Sequence, residues 1–323
     1  MKLDNRAGVP ATLWRTIIDE HRIAAAVVAR VTYRIEKGRL ELDPEQPWQV
    51  SSAPWESPQG PMPPDDCFTR GGVDLLIFGH ARAPHDRPVP KIEVRFAVGS
   101  FVCGLDVYGP RFWREGVFRL EPSEPVPFLE CPLTLEHAYG GKQLWDGIEV
   151  PYTANPQGKG YYLDEGAARY QPLPNLEDPR APIRKWNDQP VPVGVGLCPR
   201  SFGPRVQRSV EIDAAGAIRR IAPSFFNDAF PDCVAPRVEP GTPAEVWGVH
   251  PAGPLRFVVP DTPLVARIRV GNHEVERRLA VDQIGVEPDF LRVFITYRYP
   301  FRYAVIRMQP RGCVLYWAEE ARS

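Results

Sequence analysis

Thirty-eight of the 323 residues are proline. A proline fixes its own φ and offers no N–H to a helix, so a density more than twice the average usage of about 5% excludes long helices. Short strands and irregular segments are what remains to build with. Nearly half of the prolines fall in residues 139–260, and the two ends of the chain are comparatively free of them. The chain therefore divides into an N-terminal β lobe (1–138), a Pro/Gly-rich loop region (139–254) and a C-terminal β meander (255–323), read as sub-regions of one domain.

Within the first part, residues 25–35 run apolar and β-branched, Lys37-Gly38 supplies a turn, and residues 39–42 return as a second strand. Further strands are expected at 73–80, and at 91–98 paired through Gly99-Ser100 with 101–107. In the last part, strands are expected at 255–259, 264–270, 274–281 and 291–299, with Gly271-Asn272 as a hairpin turn and β-prone residues continuing from 301 to 316. Apolar and charged residues alternate in Val265-x-Arg267-x-Arg269 and Glu274-x-Glu276-x-Arg278, the pattern of strands with one face buried and one solvated. Helices are expected only as short pieces at 224–230 and 244–249. The fold class is mainly β: antiparallel sheets in a sandwich-like arrangement, with a long, ordered Pro/Gly-rich loop region packed over them.

Acidic and basic side chains nearly cancel, 40 against 39, so no global field draws the chain to nucleic acid or to an anionic membrane. No apolar run reaches the roughly 18 residues of a membrane-spanning helix, and the start MKLDNRAGVP lacks the apolar core of a secretory signal. A cytoplasmic protein without membrane insertion is expected. The six cysteines, at 67, 103, 131, 198, 233 and 313, are widely spaced and form no C-x-x-C pair, so they are read as reduced and mostly buried.

The search for chemistry returns little. Gly158-Lys159-Gly160 places a glycine where a P-loop needs a hydroxyl, and the G-x-x-x-x-G-K-[ST] spacing is absent. His80, His85 and Asp86, or Asp65-Asp66 beside Cys67, lack the ligand spacing of known metal sites. No G-x-S-x-G elbow exists, since Ser201 in Pro-Arg-Ser-Phe-Gly lacks the first glycine. Cys131 with His137 is a conceivable dyad, but residues 130–136 alternate like a strand, which sets the two about 20 Å apart. The adjacent carboxylates Asp65-Asp66 and Glu177-Asp178 stand in turn contexts. No catalytic residue, cofactor or metal ligand is assigned, and the protein is not read as an enzyme.

The most informative stretch is 136–177, where Gly, Pro and Asn shape a long loop that carries no evident catalytic group. Ordered loops of this kind are where binding surfaces are commonly built. Trp145, Tyr152, Tyr161, Tyr162, Tyr170 and Trp186 are concentrated there, either as interface anchors or as pins that hold the loop to the sheets. Tyr139-Gly140-Gly141, Asn155-Pro156-x-Gly158-x-Gly160-Tyr161 and Leu173-Pro174-Asn175-Leu176-Glu177-x-Pro179 resemble the signature of a bacterial domain-of-unknown-function family, number two-one-six-nine. Val73-Asp74-Leu75-Leu76, Tyr108-Gly109-x-Arg111-x-Trp113, Pro199-Arg200, Asn227-Asp228-Ala229-x-Pro231-Asp232 and Leu279-x-x-Asp282 extend the resemblance along nearly the whole chain. Cys233, where the family pattern suggests a polar residue, and Thr296-Tyr297-Arg298, where a Trp-Arg pair is common, depart from it.

The resemblance implies a cytoplasmic adaptor or chaperone that binds a type VI secretion effector and helps load it onto the VgrG spike, without catalysis or cofactor. Partner-binding or signature positions expected on that basis are Tyr139, Gly140, Gly141, Trp145, Asn155, Pro156, Gly158, Gly160 and Tyr161, with Leu173, Pro174, Asn175, Leu176 and Glu177, and with Asn227 and Asp228. Two other readings stand beside it: a hydrolase-like enzyme with its site in the 139–254 loops, and a structural component that stays in the secretion apparatus.

Overall fold

The computed structural model describes residues 1–305 and 309–318. The central seven-stranded sheet runs Ala11–Asp19, Arg22–Glu36, Arg292–Ala304, Ala280–Glu287, Val73–Ile77, Val234–Ala235, with Arg39–Leu42 also paired to Arg22–Glu36. Its pairs are antiparallel except for Ala280–Glu287 beside Val73–Ile77, which is parallel. A five-stranded antiparallel sheet runs Leu176–Glu177, Phe101–Tyr108, Lys91–Val98, Pro243–Trp247, Leu255–Val258. A four-stranded sheet joins Leu3–Asn5, Arg311–Trp317, Leu264–Val270 and His273–Arg278.

The sheets pack through one continuous apolar core. Val27, Val31, Leu75, Ile284 and Ile295 from the central sheet share it with Val94, Phe96 and Leu105 from the second and with Ala266, Ile268 and Leu315 from the third. Trp48, fully buried, stands at its centre with its ring 4.3 Å from that of Phe294 and 5.0 Å from that of Phe78, and its indole N–H donates to Glu287. Fully burying a side chain of this size is worth roughly 2–3 kcal/mol, and the Glu287 bond satisfies the one polar atom that the burial would otherwise strand.

The mainly β class and the hairpin turns at Lys37-Gly38, Gly99-Ser100 and Gly271-Asn272 are present. Two expectations about elements are corrected. Residues 243–247 form a strand, because they fill the gap between Lys91–Val98 and Leu255–Val258; the short helix nearest the other expected site is a 3-10 turn, Pro223–Phe226. The C-terminal strands are not one meander: Leu255–Val258, Leu264–Val270 with His273–Arg278, and Ala280–Glu287 with Arg292–Ala304 go to three different sheets. In Leu264–Val270 the apolar Leu264, Ala266 and Ile268 face the core, whereas His273–Arg278 is an edge strand exposed on both faces. Of the β-prone 301–316 span, Arg311–Trp317 is a strand and 306–308 lie outside the described residues.

Candidate functional site

The 136–177 segment is a set of tight backbone crossings with a small core of its own. Trp113, Leu120, Tyr139, Ala168, Leu173 and Ile183 are buried together, and Tyr152, Tyr161, Tyr162 and Trp186 close over them. Two glycines make the crossing possible. At Gly140, with φ +149°, an added Cβ would stand 2.1 Å from the Asn155 carbonyl oxygen, and at Gly160, with φ +97°, it would stand 2.6 Å from the Pro174 ring. Tyr139–Gly140 and Lys159–Gly160 then pair as a short parallel ladder.

Asn155 ties that crossing together, since its side-chain amide donates to the carbonyls of Leu135 and Tyr139 at 2.8 and 3.0 Å. The Asn175 amide donates to the Tyr108 carbonyl at 2.8 Å, and its oxygen accepts from His137 at 2.9 Å. Glu177 forms a buried ion pair with Arg111 and accepts from the backbone N–H of Ile183. Burial raises the Glu177 carboxyl above its ordinary value, and the Arg111 charge and hydrogen bond offset only part of that rise.

The positions expected to bind a partner are therefore placed as follows. Tyr139, Gly140, Gly141, Asn155, Gly160, Leu173, Pro174, Asn175, Leu176 and Glu177 are interior; Gly158 and Tyr161 are half-buried; Trp145 and Pro156 are exposed. Asn227 and Asp228 are buried elsewhere, beneath the central sheet.

There they belong to a layer of charge between Arg30, Arg70 and Arg298 and the carboxylates of Asp65, Asp74, Asp228 and Asp282. The Asn227 amide donates to Asp74, and the Gln283 amide donates to Asp228 and Asp74. Thr296 and Arg298 serve the same layer: Thr296 binds Arg30 and Gln283, and Arg298 binds Asp282 and the Cys67 carbonyl. Burial, opposed by Arg70 and reinforced by Asp74 and Asp65, raises the Asp228 carboxyl to about 6. Sequence reasoning missed this layer because its members come from five separated stretches, at 30, 65–74, 227–228, 282–283 and 296–298, and only Asp74, Asn227, Asp228 and Asp282 carried a signal as signature positions.

The conceivable dyad does not assemble. Only Glu130–Pro132 is a strand; residues 135–137 turn into a 3-10 helix, and His137 bonds Asn175. Burial pushes the Cys131 thiol up to about 11, which leaves it protonated and a poor nucleophile. All six cysteines are free and buried, and Cys233 packs against Cys103, whose hydrogen bond together with burial drives its thiol far above the usual range. Among the described residues no three His, Cys, Asp or Glu side chains converge as a metal site.

What the loops present outward is apolar. Three two-stranded hairpins stand off the sheets, and each has large hydrophobic side chains in solvent. In Trp113–Glu115/Leu120–Pro122 the turn carries Val117 and Phe118, 86% and 97% exposed. In Lys142–Trp145/Ile148–Pro151 the end carries Leu144, Trp145 and Ile148, with Trp145 54% exposed. In Val210–Ile212/Ile218–Ile221 it is Ile212, Ile218 and Ile221. The first hairpin is seated on the small aromatic core, in which Trp113 and Leu120 are buried, and in the second Gln143 accepts the Leu163 N–H at 2.9 Å.

A central sheet backed by a buried charge layer, packed on two further sheets through one apolar core and carrying ordered hairpins with apolar ends in water, defines a mainly β protein. Residues 20–298 match the bacterial family described as uncharacterized protein conserved in bacteria (DUF2169), and the chain belongs to it. No curated protein and no solved structure matches the chain. No helix among the described residues is long and apolar enough to cross a membrane.

Proposed function

We propose that this chain is an adaptor that binds a type VI secretion effector in the cytoplasm and delivers it to the VgrG spike. The observation that carries a protein-binding reading is the set of hairpin ends: Phe118, Trp145 and Ile148 stand in solvent at the ends of two hairpins, the first of them anchored by Trp113 and Leu120 in the small core. Isolated exposed hydrophobics are ordinary, but aromatic residues displayed at the ends of ordered hairpins give large contact area at small entropic cost, as interface anchors do. The secretion context rests on the family resemblance of the signature residues. Delivery further requires that the adaptor bind free effector more tightly than spike-bound effector, because equal affinity for both states shifts nothing.

The test is retention of partners from the native bacterial lysate on tagged full-length chain, with Phe118→Glu and Trp145→Glu run in parallel and folding checked for each. One large effector, with or without VgrG, retained by the wild type and lost from the variants supports the adaptor reading. No specific protein retained in cells that express the secretion cluster sinks it. Finding the chain itself in the secreted particle would instead make it a component of the apparatus.

A further inference from the structure

Ile77 ends the strand Val73–Ile77 and turns its N–H to the Val195 carbonyl at 2.7 Å, on the side away from Ala280–Glu287. A residue in a strand presents its N–H and C=O to the same side, so the Ile77 carbonyl points that way too. There the neighbouring chain has reached Gly196, which has no side chain to cover it. An added Cβ at Gly196 would stand 3.4 Å from the Ile77 oxygen and 3.7 Å from the Leu133 oxygen, so the two carbonyls face one point. Neither oxygen accepts a hydrogen bond from any described residue. Ile77 and Leu133 are 1% and 5% exposed, and a buried acceptor left unmet is a standing cost to the fold. All three residues line a pocket of about 540 Å³, far more room than a single water needs.

We propose that this pocket binds a primary ammonium group on an apolar stem, with the Ile77 and Leu133 carbonyls accepting its N–H groups. An ammonium carries three donors and no acceptor, which suits a floor that offers two acceptors. No lysine or arginine lines the pocket, and Glu136 does. A hydrogen bond from Thr134 holds the Glu136 carboxyl below its ordinary value, so the wall is negative at neutral pH. His80 is the other ionisable group in the lining, and its Nδ1 lies 3.4 Å from the carboxylate of Asp289, a second acidic group close by. An anion entering the pocket would meet the open carbonyls and a carboxylate, and an uncharged stem would leave both oxygens unmet. Phe78, Leu133, Leu197 and Phe230 supply apolar wall for the stem. The ligand chemistry has two sources: the side chain of a lysine in a polypeptide, or a free alkylamine. The site stands whether or not the chain is an effector adaptor.

The experiment titrates hexylamine and hexanoate, alike in stem and opposite in charge, into the full chain, followed by amide chemical shifts. Saturable shifts at residues 77–80, 133–136 and 194–197 with the amine, and none there with the acid, are expected. The methyl of Gly196→Ala makes only ordinary contacts in the free protein and fills the space in front of both oxygens, so this variant should fold and should weaken the amine roughly tenfold or more. Glu136→Gln, at an exposed position, should weaken it roughly two- to fivefold. Equal binding of amine and acid, no saturable shift with the amine, or affinity unchanged in either variant overturns the proposal. Acetyl-Ala-Lys-Ala-amide, whose one ammonium is the lysine side chain, separates the sources: binding about tenfold tighter than hexylamine upholds the site as a reader of lysine side chains, and any weaker affinity upholds it as a small-amine site.

Discussion

Asp228 is a residue whose ionisation the fold bends toward neutral pH. Its carboxyl sits near 6 in the folded chain, above the 3.8 of a free aspartate, so the folded state holds the proton more tightly than the unfolded one. Protonation therefore stabilises: the contribution is gained as pH falls through about 6 and is complete below the unfolded value, and at higher pH the ionised group costs stability. Between pH 7.5 and pH 5 this group alone should add about 1 kcal/mol. The difference in urea midpoint between wild type and Asp228→Asn at those two pH values measures it. The Asn variant should fold, because Arg30, Arg70 and Arg298 would then face only Asp65, Asp74 and Asp282, a balanced set. At Gly140 the expectation is opposite in kind. Gly140→Ala should cost about 3 kcal/mol or more, since the methyl meets a backbone carbonyl and not a movable side chain; a thermal melt that matches wild type would show that the crossing at Asn155 is looser than described.

Hairpins are the elements that separate stability from binding. Phe118→Asp or Trp145→Asp should leave the unfolding free energy from urea titration within about 0.5 kcal/mol of wild type, because neither side chain is part of either core, while Trp113→Ala at the base of the first hairpin should cost about 3–5 kcal/mol. These elements also show what could be read in advance. Lys37-Gly38, Gly99-Ser100 and Gly271-Asn272 were legible because a two-residue turn between β-prone runs is a local decision of the backbone. Pro243–Trp247 was not, because Ala-Glu-Val-Trp is compatible with a helical turn in isolation and becomes a strand through partners about 150 residues earlier in the chain and 10 residues later. The middle aromatics were legible as a group but not one by one: Tyr139, Tyr152 and Tyr161 pack ring to ring inside the loop, whereas Trp145 and Tyr170 stand mostly in solvent.

At the scale of the molecule, the first and last parts of the chain make one sheet. Arg22–Glu36 is paired along its length with Arg292–Ala304, and Val73–Ile77 lies against Ala280–Glu287. A fragment of residues 1–254 should therefore fail to give a dispersed amide spectrum, and adding residues 255–323 in trans should restore it in part; a well-folded 1–254 would mean that the N-terminal strands have another partner. The pairing also has a consequence for how the protein is made. Translation proceeds at about 5–20 residues per second, so for tens of seconds the nascent chain carries Arg22–Glu36 with its neighbour still unsynthesised. The central sheet can close only once residues 292–304 have been synthesised, and a message that ends before them produces no partly working version of this protein, only material for the proteases.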